Sequence, residues 1–124
     1  MTHKAFDPPD IRPPGGPYSS VVRSGPFIAT AGQCGYLKDG TLPAGLDEQV
    51  TQAFANLLAV LEAAGATTDD VVATTVHLAD GDDFDRMNAL YRQHFTPPYP
   101  ARTTVTAGLR PGVLFEITAQ AYAA

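Results

Sequence analysis

Tyr99-Pro100-Ala101-Arg102-Thr103-Thr104-Val105 is the stretch that sets how the chain is organised. Pro97, Pro98 and Pro100 end any helix before them and restrict the residues they follow, while the β-branched residues after Arg102 open a strand. A single cation therefore enters that strand among small, β-branched and aromatic side chains. Beyond Arg92 the only other Lys or Arg is Arg110, and beyond Asp85 the only acid is Glu116, set inside Val113-Leu114-Phe115-Glu116-Ile117. The pattern admits two readings. Either Arg102 and Glu116 form an ion pair tying neighbouring strands together, or Arg102 holds a ligand carboxylate through its planar fork of donors while Glu116 handles a proton or a water.

Working outward, Gly108 to Gly112, with Pro111, turns the chain back into Val113 to Tyr122. Alternation there sets Val113, Phe115, Ile117 and Ala119 on one face and Leu114, Glu116, Thr118 and Gln120 on the other, so Glu116 lies opposite the core side chains. Upstream, Asp80-Gly81-Asp82-Asp83 precedes a helix predicted from Asp83 to Phe95 with a stripe of Phe84, Met87, Asn88, Tyr91 and Phe95. A polar Asn88 on that stripe needs a hydrogen-bond partner. Val71 to Leu78 reads as a strand with Val72, Thr74, Val76 and Leu78 on one face. Before it, Val50, Ala53, Phe54, Leu57, Leu61 and Ala64 repeat at helical spacing, with Asp47 as N-cap and Gly65 as terminator. That stripe reads as apolar core without polar interruption.

Tyr18 to Arg23 and Pro26 to Ala31 form a hairpin hinged at Ser24-Gly25. Ala31-Gly32-Gln33-Cys34-Gly35 follows, where two close glycines fit a strand exit or a backbone approached by another group, and the strand exit is the simpler reading. Residues 1–17, with five prolines, read as a mobile Pro-rich arm, and residues 18–124 as one domain. The order strand, strand, helix, strand, helix, strand, strand predicts an α+β fold: one mixed sheet with two helices on one face, the other face free for self-assembly.

Composition bounds the function. The 124 residues suffice for one domain with a real core. Eight Lys and Arg against 13 Asp and Glu give a charge of -5, with acids clustered at Asp69-Asp70 and Asp80 to Asp85, so no basic stripe invites nucleic acid. The lone Cys34 permits no internal disulfide, no run approaches a membrane span, and the proline-rich start is no export signal, all of which point to the cytoplasm. His3, His77 and His94 show no ligand spacing, and no phosphate loop, dinucleotide fingerprint or nucleophile elbow is present, so neither a metal nor a cofactor is expected. Cys34 reads as a small inert hydrophobe and His77 as a structural, hydrogen-bonded histidine.

Several short motifs in collinear order carry a resemblance: Gly16-Pro17-Tyr18-Ser19, Ala31-Gly32-Gln33, Glu62-Ala63-Ala64-Gly65, Asp83-Phe84 with Asn88 and Tyr91, Tyr99-Pro100-Ala101-Arg102-Thr103, and Phe115-Glu116-Ile117. Over residues 16–122 the chain resembles the RidA/YjgF/UK114 family of reactive-intermediate deaminases. The resemblance implies a chorismate-mutase-like fold, a homotrimer with sites in the clefts between subunits, and cofactor-free hydrolysis of enamines and imines such as 2-aminoacrylate to a 2-keto acid and ammonia, the activity of a 2-iminobutanoate/2-iminopropanoate deaminase. It also implies that Arg102 binds the substrate carboxylate, Glu116 orients water, Tyr18 forms an aromatic wall, and Gly32, Asn88 and Thr104 complete the substrate site.

The chain departs from that pattern at Cys34-Gly35, where relatives often carry Ile-Pro, at Thr104, where they often carry Cys, and in the loop between Gly35 and Asp47. These departures bear on the substrate's side chain rather than on its carboxylate. They motivate one alternative, a pathway-specific deaminase or hydrolase acting on a larger acid; a second, from a different class, is a non-catalytic trimer that binds small carboxylic acids. The acidic balance weighs against the endoribonuclease role proposed for some relatives.

Overall fold

The computed structural model describes residues 2–124. In chain order the elements are β1 (Lys4–Phe6), β2 (Val21–Ser24), β3 (Phe27–Thr30), β4 (Gln33–Cys34), α1 (Leu46–Ala63), β5 (Val71–Leu78), α2 (Phe84–Tyr91), β6 (Ala101–Thr106) and β7 (Phe115–Tyr122). They build one mixed sheet in the order β1-β2-β3-β7-β5-β6, with β4 also pairing β7. Only β5 and β6 run parallel. That pair needs a crossover, and α2 supplies it. The α+β class and the mixed sheet with helices on one face are as the sequence pattern predicts.

The two-faced reading of β7 holds. Phe115, Ile117, Ala119 and Ala121 are buried toward α1, while Glu116, Thr118, Gln120 and Tyr122 face away. Fully burying one such apolar side chain stabilises the fold by about 1.5–3 kcal/mol. Beneath them Leu57, Val60 and Leu61 of α1 lie fully buried, and the Phe54 ring packs among Tyr91, Phe95, Phe115 and a stacked His94 at 4.1 Å. Burial there disfavours the charged form of His94 and lowers its pKa.

Five sequence expectations need correction. The N-terminal arm is not irregular throughout: the proline-free Lys4–Phe6 pairs with β2, Asp7 Oδ1 accepts from the Ser20 N–H at 2.9 Å, and Ile11 is buried in the core. In β5, Val72 is exposed rather than inward, because a bulge between Val71 and Ala73 shifts the alternation before Thr74, Val76 and Leu78 resume it. Helix α2 stops at Tyr91, since the 93 and 94 amides bond three residues back and tighten the chain ahead of Pro97.

On α1 the N-cap is Gly45 rather than Asp47, whose carboxylate instead pairs with Arg86 of α2. Gly65, at φ +88°, closes the helix as expected, with Ala66 N–H donating to Leu61 O and Gly65 N–H to Glu62 O. The α1 stripe does carry polar interruptions, Gln49 and Asn56, both buried. Gln49 Nε2 donates to Pro43 O (2.7 Å) and Gly112 O (2.9 Å), and its Oε1 accepts from Leu114 N (2.8 Å). Asn56 Nδ2 donates to Cys34 O and Tyr36 O, both at 2.9 Å. These two amides tie the loops around β4 and ahead of β7 to a rigid helix.

Candidate functional site

Arg102 and Glu116 sit on two strands separated by β5, and the register says how far apart they are. Arg102 lies beside Thr74 and Glu116 beside His77. That offset is about 10 Å along the strands and about 10 Å across them. Thr74 faces the helices, with its Oγ1 2.8 Å from the Tyr91 hydroxyl. A residue three further along faces the other way, so Arg102 and Glu116 occupy opposite faces of the sheet. The intrachain ion pair is therefore ruled out, and Glu116 has the His77 ring as its neighbour instead, Nδ1 lying 3.4 Å from Oε1.

On the helix side, Arg102 Nη2 donates to Asn88 Oδ1 at 2.7 Å, and the guanidinium lies over the Tyr91 ring, 4.7 Å from its centroid, with the Phe84 ring 5.8 Å away. Asn88 thereby finds the partner its place on the stripe demands. The guanidinium is half-buried, held on one edge by an amide and on one face by a ring, and no carboxylate among the described residues pairs with it. Two residues on, on the same face, Thr104 Oγ1 is buried without a hydrogen-bond partner. An unpaired cation beside an unsatisfied hydroxyl is an arrangement suited to a carboxylate.

On the opposite face, Glu116 lines a cleft of about 300 Å³ together with Tyr18, Gly32, Cys34, Tyr36 and Arg12. This volume is at the small end of ligand pockets. Gly32 makes room for the acid in its present place: a Cβ on it would stand 2.7 Å from Glu116 Cδ and push the carboxylate aside. Gly35 likewise lets the loop meet α1, since a Cβ would stand 2.6 Å from the Gln49 backbone. Both glycines lie just outside strands, as the strand-exit reading has it, and the close-approach reading holds beside it. Cys34 Sγ–H donates to Glu116 Oε2 at 3.4 Å, and burial first, then the Glu116 charge and this bond, push its thiol up to about 12. Arg12 stacks on the Tyr36 ring at 4.2 Å, so the N-terminal segment forms one wall of the cleft.

Six positions were singled out from the sequence. Tyr18, Gly32 and Glu116 come together in the cleft, and Arg102, Asn88 and Thr104 come together under α2, but one chain does not unite the two groups. Sequence reasoning missed His77 beside Glu116, the cleft wall from Arg12, and the bracing amides Gln49 and Asn56. The seven-residue spacing of those amides on an apolar helical stripe was the available signal. Among the described residues, no three His, Cys, Asp or Glu side chains gather to hold a metal, and no helix is long and apolar enough to cross a membrane.

Known proteins share this fold. The family model described as endoribonuclease L-PSP matches residues 10–123. The human protein named 2-iminobutanoate/2-iminopropanoate deaminase is 40% identical over 109 residues, 86% of this chain and 80% of the human one. The crystal structure of RidA from the Antarctic bacterium Psychrobacter superposes with a TM-score of 0.92 at 32% identity, covering 96% of this chain and 98% of that one. That of TdcF from Escherichia coli with bound serine superposes with a TM-score of 0.91 at 30% identity, covering 98% and 99%. The chain thus belongs to the endoribonuclease L-PSP family, among whose members are the RidA/YjgF proteins that its motifs resemble.

Proposed function

We propose that the protein is a deaminase that hydrolyses small 2-imino and 2-enamino acids to 2-keto acids and ammonia. The observation that carries this reading is the Arg102 guanidinium, oriented by Asn88 and Tyr91 beside the unsatisfied Thr104 hydroxyl yet unpaired with any carboxylate among the described residues. A 2-imino acid brings the missing carboxylate, and the 40%-identical human relative bears the name of this activity.

Because Arg102 and Glu116 face opposite sides of one sheet, the site joins the Arg102 face of one copy to the Glu116 cleft of another. The open sheet face supports such assembly, since Phe27 and Tyr122 stand 44% and 61% exposed on it. A homotrimer with three equivalent sites is the arrangement we favour. In each, Arg102 and Thr104 grip the carboxylate, with Asn88 fixing the guanidinium, while Tyr18 and Gly32 shape the cleft around the imine carbon.

Glu116 takes a proton from a water as its oxygen bonds to the C=N carbon, and the π electrons pass to nitrogen. Glu116 returns that proton to the nitrogen, and the new hydroxyl's proton then passes to the same nitrogen as its oxygen forms the C=O bond and the C–N bond breaks, releasing ammonia and leaving the keto acid. Imines hydrolyse readily in water, so orientation and one proton-transfer partner, worth about 10²- to 10⁴-fold, suffice. The test is to add the protein to a serine or threonine dehydratase reaction and follow decay of the imine. Unchanged decay at stoichiometric protein would sink the reading.

A second reading, a non-catalytic binder of small amino or keto acids, draws on the serine in the TdcF structure. Calorimetric binding of a keto acid at Arg102 without imine turnover would favour it. A cytoplasmic location is part of the first reading, since imines of this kind arise from the pyridoxal-phosphate enzymes of central metabolism.

A further inference from the structure

We propose that His77 is a positioning residue for Glu116, its Nδ1–H holding one carboxylate oxygen in place while Cys34 holds the other. This rests on the reading of Glu116 as the acid that takes the water's proton. His77 and Glu116 are register partners on β5 and β7, and His77 Nδ1 lies 3.4 Å from Glu116 Oε1. The Nδ1 atom is itself buried and makes no hydrogen bond in this geometry, so Glu116 Oε1 is the acceptor within its reach, although the side chain as a whole is 29% exposed. At 3.4 Å the two atoms stand just beyond a good hydrogen bond, and a small turn of either side chain closes it.

The chemistry fixes the direction. A bare Nδ1 lone pair facing a carboxylate oxygen would set two acceptors against each other, so the favourable tautomer carries its proton on Nδ1 and leaves Nε2 as the acceptor. The second oxygen, Oε2, receives the Cys34 thiol, and the close pass of Gly32 blocks a third side. A carboxylate gripped at both oxygens keeps lone pairs for a water but loses the freedom to rotate away from it. Beside His77 on the next strand stands Val105, an apolar neighbour that offers the ring no competing partner.

Two measurements decide the point. The first is the ¹⁵N spectrum of His77 with its ring neutral. The Nδ1–H tautomer is expected in the wild type, and its loss is expected in Glu116→Ala; the same tautomer in both proteins overturns the proposal. The second is imine turnover by His77→Phe and His77→Asn, the latter keeping an N–H near the position of Nδ1. His77→Phe should lower kcat about tenfold with KM within twofold, and His77→Asn should recover most of that loss. Wild-type kcat in His77→Phe, or equal losses in both folded variants, overturns the proposal. If the wild-type protein turns over no imine, the deaminase reading fails, and the tautomer comparison still decides whether His77 holds Glu116.

Discussion

The Arg102 face and the Glu116 cleft are built in opposite ways. Arg102 comes from the start of β6, an edge strand of the sheet, and its charge is oriented against α2 by neutral groups only, the Asn88 amide and the Tyr91 and Phe84 rings. Glu116 comes from an equally regular strand but is enclosed by irregular chain: the Gly32 turn, Cys34, and the N-terminal segment that carries Arg12. Its oxygens already have protein neighbours in His77 and Cys34. The difference teaches that one half of the site is an open socket for an external anion, whereas the other is a clamped acid whose position is the adjustable quantity. Neutral support leaves the cation's full charge for a ligand; donors on both oxygens spend part of the acid's hydrogen-bonding capacity on fixing it.

If that contrast is right, removing the clamped acid has the largest effect. Glu116→Gln keeps the shape but cannot take the proton, and kcat for imine hydrolysis should fall about 10²- to 10⁴-fold with KM little changed. Next comes Arg102→Ala. It should lower kcat/KM about 100-fold, chiefly through KM, with the circular dichroism spectrum unchanged; a folded and fully active variant would break the socket half of the comparison.

Gly32→Ala tests the clamp without touching a charge. Its new Cβ, 2.7 Å from Glu116 Cδ, must displace the carboxylate, the far end of a flexible side chain, so turnover should drop about tenfold while chemical denaturation should report less than about 1 kcal/mol of lost stability. The smallest effect belongs to Cys34→Ser. With its thiol pushed up to about 12, Cys34 is a protonated donor near neutral pH rather than a nucleophile. A serine hydroxyl can donate as well, so kcat/KM should stay within about threefold. A hundredfold loss would mean that the thiol does more than orient Glu116.

These outcomes depend on features that were unequally legible in the sequence. Gly65 as terminator of α1, the two faces of β7, and the prolines ahead of β6 all act through neighbours within a few residues, and each stands where the pattern predicts. Asn88 could be seen to need a partner, but not that the partner is Arg102. The β1 pairing of Lys4–Phe6 was hidden by the prolines around it, and the bulge at Val71/Ala73 leaves no mark in a run of valines and threonines.

What the sequence by itself determined is the two helices and the strands β2, β3, β5, β6 and β7 in their order, and the choice of Arg102 and Glu116 as the two charges to explain. Periodicity and turn chemistry are local, so a single chain of letters carries them. Only the tertiary structure decided that these two residues face opposite sides of the sheet, that His77 and Cys34 rather than Arg102 attend Glu116, and that Gln49 and Asn56 brace the cleft. Those facts follow from which strands pair and in what register, and a shift of one residue would reverse every face.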